Sequence, residues 1–285
     1  MIPIMVDLEK LVAQANEMAP LPESSVRLAR LIGNAKTDIS ELVDIIKYDA
    51  PLTGRLLRAS NSAVAAGDNG ATTAEEAVMR LGTGQLLALA MAVGTKPLLN
   101  PPLPAFGYNE GGLWRHSVAA AVAAEFLPRF SRLDVPPEVF TTALLHDIGK
   151  IVMNRFLSAE ILLCLKHAEE VDHLSRIEAE QRLLHIHHGD LGGMIARHWG
   201  LPDRIAQAIV HHHDPEAGKS SLCDFTYIAN LLAKHIDAAK NGTKYDLAIP
   251  DLILQRAGFD SDSFRNYTLA AVGGFEKVNA RYSAV

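Results

Sequence analysis

Residues 139–151, VFTTALLHDIGKI, end an apolar run with an adjacent histidine and aspartate. The apolar residues recur at helical spacing, which predicts an apolar helix across the whole stretch. Asp147 shares one face of that helix with apolar side chains, so the pattern predicts that its carboxylate points into the core. Because a buried carboxylate needs a metal ion, another cation or hydrogen-bond donors, His146 and Asp147 are candidate metal ligands.

Helical patterns continue on the N-terminal side of this stretch, from residue 21 to residue 99. Asp38 and Glu41 have the spacing of a capping box, in which a side chain bonds the backbone of the first helical turn. Thr72 and Glu75 repeat this spacing, and Gly82 is predicted to end the helix that they begin. No segment alternates apolar and polar residues as a half-buried strand does. The sequence therefore predicts an all-α fold.

Prolines and glycines interrupt the helical pattern between residues 97 and 112, and such a stretch favours turns over a continuing helix. They are Pro97, Pro101, Pro102, Pro104, Gly107, Gly111 and Gly112. We place a domain boundary here, with an N-terminal helical subdomain at residues 1–105 and a second helical subdomain at residues 106–285. The second subdomain includes a tail after Asn241 that carries no readable motif. We predict that the two subdomains are helical bundles packed on each other.

The charge and the apolar segments of the chain argue against nucleic-acid binding, membrane insertion and secretion. A formal net charge of −6, without any run of lysines and arginines, argues against nucleic acid as a ligand. Residues 86–93, the longest purely apolar run, are far shorter than the roughly 20 residues of a membrane helix. Asp7 and Glu9 stand where a secretory signal needs apolar residues, and two cysteines are too few for a disulfide framework. We therefore expect a cytoplasmic protein that does not span a membrane.

Histidine is unusually frequent, and many of the 12 histidines cluster late in the chain. Neutral imidazole is a common ligand of first-row transition metals, and carboxylates complete such sites. His116 lies apart from the cluster, on a helical face whose next positions hold alanines, so another helix can approach it closely. Taken alone, His116 is better explained as a core histidine bonded to a carbonyl, and only the other candidate ligands make it a candidate ligand too. The clustered histidines are His185, His187, His188, His198, His211, His212 and His213.

These residues resemble the metal-binding set of the HD superfamily, helical-bundle proteins with a histidine, then a His-Asp pair, then a late aspartate. His116 and the pair His146–Asp147 match the first three positions. Asn230, in a predicted helix over residues 227–234, stands where the late aspartate is expected. Its neutral side chain can coordinate a metal ion but adds no anionic attraction.

Two-metal relatives of the HD-GYP type add a further histidine and a His-His pair, which His188 and the pair His212–His213 resemble. After His213 the chain reads DPEAGK, without a Gly-Tyr-Pro motif, so the resemblance does not imply hydrolysis of cyclic di-GMP. Six of the seven ligand positions are nevertheless retained. The resemblance implies one or two divalent transition ions (Fe, Mn, Ni or Zn), held by His116, His146, Asp147, His188, His212, His213 and Asn230.

Several separated segments, in order, resemble one branch of this superfamily, the HDOD domain family. They are LPES at 21–24, the segment 45–57, NSA at 61–63, the segment 77–82, WGLP at 199–202 and HHDP at 212–215. The resemblance covers residues 21–215, which is most of the chain. It implies an N-terminal helical bundle packed on an HD-like helical bundle. The NSA turn fits a structural role, because asparagine and serine favour local backbone hydrogen bonds.

Family members of this kind are generally regarded as bacterial signalling or scaffold modules. The resemblance therefore favours a signal-transduction module that does not hydrolyse a substrate, binds an unidentified signalling protein and keeps part of a metal site. The alternative is a metal-dependent phosphohydrolase acting on a nucleotide or another phosphoester ligand, with Asp147 and Lys150 as catalytic residues. Lys150 could neutralise a substrate phosphate or simply complement the carboxyl end of its helix.

Overall fold

The protein is all-helical, as predicted. A computed structural model describes residues 8–32, 37–62 and 70–282, and these contain 16 α-helices and no β-strand. The helices are α1 (Leu8–Asn16), α2 (Glu23–Ile32), α3 (Ile39–Ile46), α4 (Ala50–Ser62), α5 (Ala74–Leu99), α6 (Gly112–Phe126), α7 (Val139–Leu145), α8 (Gly149–Asn154), α9 (Ala159–Glu170), α10 (Arg176–Leu184), α11 (His188–His198), α12 (Asp203–Val210), α13 (Pro215–Gly218), α14 (Ser221–Lys240), α15 (Asp251–Arg256) and α16 (Ser261–Tyr282).

The capping signals of the N-terminal helices are confirmed at α3 and shifted by one residue at α5. Asp38 and Glu41 form the capping box that begins α3. At α5 the box is made by Thr73 and Glu76 rather than by Thr72 and Glu75. The sequence TTAEE offers two overlapping pairs. The Glu76 carboxylate accepts hydrogen bonds from the amides of both threonines, at 2.7 Å and 3.3 Å, which selects the later pair.

One predicted break in α5 is confirmed and the other is wrong as a helix end. Gly82 leaves the helical region, with φ at +79°, and so ends the helical segment that begins at Ala74; a second helical segment of α5 follows directly after this kink. Pro97 lies inside α5, which continues to Leu99. Because Pro97 is in the last turn, its missing amide removes only one backbone hydrogen bond close to where the helix ends. In the NSA turn, Asn61 accepts a hydrogen bond from the Ala71 amide at 2.6 Å, and Ala63 lies outside the described residues.

Two clusters of buried apolar side chains form the core. The first joins α1–α5 to α7, α8, α11 and α12, and the second joins α6, α14 and α16. The alanine face of α6 that carries His116 packs against α14, so the expected close approach of a second helix is confirmed. The division of the chain at residue 105 remains a prediction. Among the described helices, none is both long enough and apolar enough to cross a membrane.

The apolar stretch that holds the His-Asp pair forms two helices rather than the predicted single one. Helix α7 ends at Leu145, residues 146–148 form a turn, and α8 begins at Gly149. Within this turn the amides of Ile148 and Lys150 bond to carbonyls three residues back, at 2.9 Å and 3.0 Å, instead of four. The side chains of His146 and Asp147 reach the same interior point, with His146 Nε2 3.3 Å from Asp147 Oδ2.

Candidate metal centre

The Asp147 carboxylate lies at the centre of a buried group of histidines, with 1% of the residue exposed. Its Oδ2 atom lies 3.4 Å from His116 Nε2 and 3.3 Å from His146 Nε2. Its Oδ1 atom lies 3.3 Å from His188 Nε2 and 3.6 Å from His212 Nε2. Asp147 therefore turns one oxygen toward each of two sets of imidazoles.

These two sets are the groups with the spacing needed to hold a metal ion. The first is His116, His146 and Asp147, and the second is Asp147, His188, His212 and His213. Within each group, one candidate ligand atom per residue lies within 4.8 Å of all the others. Six of the predicted ligands are thus brought together, around a carboxylate that both groups share.

In four of the histidines, the Nδ1 atom lies within hydrogen-bond distance of a carbonyl or carboxylate oxygen. A carbonyl or carboxylate oxygen can only accept, so each Nδ1 atom carries the hydrogen and each Nε2 atom faces Asp147. The Nδ1–oxygen distances are 2.7 Å for His146 to the Ala143 carbonyl, 2.6 Å for His212 to the Ile209 carbonyl, 2.7 Å for His116 to Asp237 and 2.6 Å for His188 to Glu180.

This arrangement brings bare nitrogen atoms close together. His116 Nε2 and His146 Nε2 are 3.1 Å apart. Because both Nδ1 atoms already hold the ring hydrogens, two neutral rings would direct their lone pairs at each other across this distance. A shared cation between the two nitrogens, either a proton or a metal ion, converts that repulsion into attraction.

Several buried polar atoms around the centre have no hydrogen-bond partner among the described residues. They include Asp147 Oδ1, His212 Nε2 and both polar atoms of the Asn230 side chain. Unpartnered buried polar atoms are rare in native proteins and usually indicate a bound ion or water. Imidazole nitrogens together with a carboxylate oxygen are the donor set of a divalent transition metal, so the residues present fit such an ion.

Charge near the centre is balanced mainly by Lys150. Its Nζ atom lies 2.5 Å from Asp147 Oδ2, and Lys150 is 8% exposed. Burial alone would raise the pKa of Asp147, but His146 and Lys150 hold it well below its ordinary value. Burial alone would lower the pKa of Lys150, and Asp147 instead raises it to about 12. The pair is therefore fully charged at neutral pH, and the predicted contact of Lys150 with a phosphate remains a prediction.

Burial also decides which histidines are neutral. It lowers the pKa of His146 and brings that of His212 to about 3, so both rings are neutral and available as ligands at pH 7. For His188, burial would lower the pKa, but the Glu180 carboxylate raises it above its ordinary value. Glu180 itself would have its pKa raised by burial, and His188 brings it down to about 2.

Two carboxylates of the site were missed by the sequence analysis. Glu180 on α10 is fully buried and also accepts hydrogen bonds from the His188 amide at 3.0 Å and from Arg176 Nε at 3.1 Å. Asp237 on α14 contacts His116. Asp237 follows Asn230 by seven residues, which is two helical turns, so helical spacing could have indicated that both lie on one face. No sequence pattern singled out Glu180.

Asn230 is 1% exposed and lies on α14, which also carries Lys234 and Asp237. Its side-chain oxygen and nitrogen have no hydrogen-bond partner among the described residues, and its coordinating role remains a prediction. Of the flanking histidines, His187 caps α11, His185 and His198 are exposed, and His211 is partly buried.

Two aromatic residues that directly follow the predicted domain boundary cover the metal centre. The Phe106 and Tyr108 rings lie 5.5 Å and 5.6 Å from Lys150 Nζ, and the Tyr108 ring is 6.1 Å from the ring of His116. Phe106 also packs 4.9 Å from the Arg176 guanidinium. These aromatic rings shield the Lys150–Asp147 pair from solvent.

Replacing Glu180 with glutamine is expected to weaken metal binding by the His188 group by roughly 10–100-fold, because the carboxylate fixes the ring orientation and raises its basicity. Titration of metal into the chelator-treated variant measures this loss. Glu170→Gln is the matched control, since Glu170 is an exposed residue of α9. Equal metal affinities for Glu180→Gln and the unmodified protein would contradict this role.

Comparison with known families agrees with the resemblance carried by the sequence motifs. A family model described as the HDOD domain matches residues 18–215. A curated protein of Treponema pallidum (strain Nichols), described only as uncharacterized, is 24% identical over 229 residues, which are 78% of this chain and 43% of that protein. The matched region therefore covers less than half of the length of that relative.

Solved structures share the whole fold. An HDOD domain protein of unknown function from Geobacter sulfurreducens superposes with a TM-score of 0.65 at 21% identity, covering 95% of this chain and 98% of that one. A candidate phosphohydrolase from Shewanella amazonensis SB2B gives 0.64 at 22% identity, covering 94% and 96%. A candidate signal transduction protein from Marinobacter aquaeolei VT8 gives 0.64 at 20% identity, covering 94% and 65%. At these identities the likeness concerns the fold.

Proposed function

The chain belongs to the HDOD domain family, and from that premise we propose that it is a metal-binding signalling module that does not hydrolyse a substrate. One observation carries the metal-binding part. The Nε2 atoms of His116 and His146, both without a ring hydrogen when neutral, lie 3.1 Å apart beside the Asp147 carboxylate. This arrangement is favourable when a cation is shared among the three side chains.

We propose one or two divalent transition ions (Fe, Mn, Ni or Zn). His116, His146 and Asp147 would hold one ion, and Asp147, His188, His212 and His213 would hold the other. Asn230 would offer its amide oxygen nearby. When bound, such an ion supplies Lewis-acid chemistry and lowers the pKa of coordinated water. Of the chain's own residues, Asp147 would serve both ligand groups, and Lys150 neutralises its charge.

Two features support a signalling role over catalysis. Asn230 replaces the late carboxylate expected of HD enzymes, so the site attracts an ion less strongly than theirs. Lys150 already pairs with Asp147 at 2.5 Å, which leaves its charge partly engaged before any phosphate arrives. The name of the Marinobacter relative as a candidate signal transduction protein agrees with this role. We propose a cytoplasmic location and a signalling protein as the partner.

A comparison of metal-loaded and chelator-treated protein tests this function. Metal that binds only the folded state is expected to raise the melting temperature, with about 2.7 kcal/mol of stabilisation at 100 times the dissociation constant. The loaded protein is expected to leave bis(p-nitrophenyl) phosphate and nucleotides intact. Metal-dependent turnover that His146→Ala abolishes would contradict the non-hydrolytic role.

That contrary result would favour the second candidate function, a metal-dependent phosphohydrolase acting on a nucleotide or another phosphoester. The observation that favours it is the sharing of Asp147 between two ligand groups, since paired ions bridged by one carboxylate suit an in-line displacement at phosphorus. In that case Asp147 would keep both ions in place, and Lys150 would lie beside the reacting phosphate.

A further inference from the structure

A polar cavity of about 440 Å³ lies beside His116, between α6, α14 and the loop that carries Tyr108. This volume falls within the range typical of sites for small organic ligands. The side chains that matter for the inference are Tyr108, Arg115, His116, Lys234, Asp237 and Tyr245. The cavity therefore reaches the outer side of the metal centre through His116.

Two cations on the cavity wall have no hydrogen-bonded or ion-paired partner among the described residues. Neither Arg115 nor Lys234 forms a side-chain hydrogen bond or an ion pair with another residue in the described parts of the chain. Asp237 is the carboxylate in the cavity lining, and its Oδ2 atom is held by His116 Nδ1 at 2.7 Å. The wall therefore presents two positive charges and one carboxylate that is already engaged.

The surroundings of Lys234 disfavour its charged form. Burial lowers its pKa, and repulsion from Lys150 lowers it further, to about 8. The positive charges of Lys150 and Lys234 thus repel each other, and the negative charge of Asp147 offsets this repulsion only in part. An anion bound beside Lys234 would relieve this repulsion and replace the solvation that Lys234 has lost.

We propose that this cavity binds a nucleoside monophosphate, with its phosphate between Arg115 and Lys234. A doubly charged phosphate matches two cations better than a carboxylate does, and arginine offers a planar fork of donors to it. The remaining volume is lined by the Tyr108 and Tyr245 rings and by the amides of Asn109 and Asn241. Aromatic faces and amide groups suit a planar, hydrogen-bonding base.

This inference goes beyond the proposed metal-binding function, because the contacts with the phosphate come from the protein itself. It would make the module a receptor for a small phosphorylated ligand, next to the metal centre. Ligand binding and metal content are separate measurements, so the two proposals can fail independently.

Titration calorimetry on the full chain tests the proposal, with AMP, GMP, inorganic phosphate and adenosine as probes. Each probe is titrated into chelator-treated and into metal-loaded protein. We expect at least one nucleotide to bind in both states, phosphate to bind more weakly and adenosine to give no detectable heat. Absence of binding by both nucleotides, or adenosine binding as tightly as AMP, would overturn the proposal.

Substitutions of the wall cations locate the site. Lys234→Met and Arg115→Met are each expected to weaken nucleotide binding by at least about tenfold, the loss of one charge-assisted hydrogen bond. Lys234→Arg is expected to retain most of the affinity, which separates a loss of charge from misfolding. Lys240→Met is the matched control, an exposed lysine of the same helix outside the cavity lining. Unchanged nucleotide affinity in both methionine variants would overturn the assignment.

Discussion

Replacing Asp147 with asparagine is expected to abolish metal binding and to destabilise the fold by roughly 3–5 kcal/mol, the usual result of removing one partner from a buried ion pair. The Lys150 ammonium would remain buried without its counterion, because Asp147 Oδ2 is its partner at 2.5 Å. Both ligand groups would also lose the carboxylate that they share. Denaturant unfolding and elemental analysis of the same preparation measure the two effects.

A second variant separates these two effects. In Asp147→Asn combined with Lys150→Met, the uncompensated charge is gone, so much of the lost stability is expected to return while metal binding remains absent. Asp190→Asn is a control for the loss of a carboxylate near the histidine cluster, since Asp190 is only partly buried. If Asp147→Asn kept both its metal content and its unfolding midpoint, Asp147 would not be the centre of the site.

Replacing Gly149 with alanine is expected to destabilise the protein by more than about 3 kcal/mol, because the added methyl group meets backbone that cannot move aside. A Cβ atom at Gly149 would lie 1.9 Å from the His188 carbonyl oxygen and 2.6 Å from the Gly192 amide nitrogen. Separating α8 from α11 to make room would pull His188 away from Asp147. The variant is therefore expected to lose metal affinity as well.

Gly54→Ala in α4 is the matched control for this substitution. A Cβ atom there would meet nothing within 4 Å, so the change is expected to be neutral or to stabilise the helix by roughly 0.5–1 kcal/mol. Thermal unfolding of the two variants gives the comparison. Similar melting temperatures for Gly149→Ala and Gly54→Ala would contradict the close packing of α8 on α11.

Predictions from local sequence patterns were correct where the pattern was compatible with only one local structure. The inward direction of Asp147 followed from its apolar neighbours, and the close packing beside His116 followed from the alanines on its face. The cap of α5 was displaced because two threonines precede two glutamates, and spacing alone does not choose between Thr72 and Thr73. Pro97 was misjudged because its effect depends on how near it lies to the helix end.

The outer shell of the site could not be predicted from spacing. Glu180 reaches His188 because α10 and α11 are packed together, and the sequence around Glu180 resembles any exposed helix. Helical periodicity could have placed Asp237 on the same helix face as Asn230, but nothing in the local sequence marked it as the partner of His116. That Arg115 and Lys234 lack a hydrogen-bonded or ion-paired partner among the described residues is likewise a property of the assembled cavity.

The central claim is that the residues around Asp147 hold a metal ion, and elemental analysis of protein purified without chelator tests it most directly. We expect one to two equivalents of Fe, Mn, Ni or Zn per chain, with the content of Asp147→Asn reduced to less than about a tenth of an equivalent, because Asp147 belongs to both ligand groups. Less than about a tenth of an equivalent in the unmodified protein, with no uptake after incubation with any of the four metals, would contradict the account.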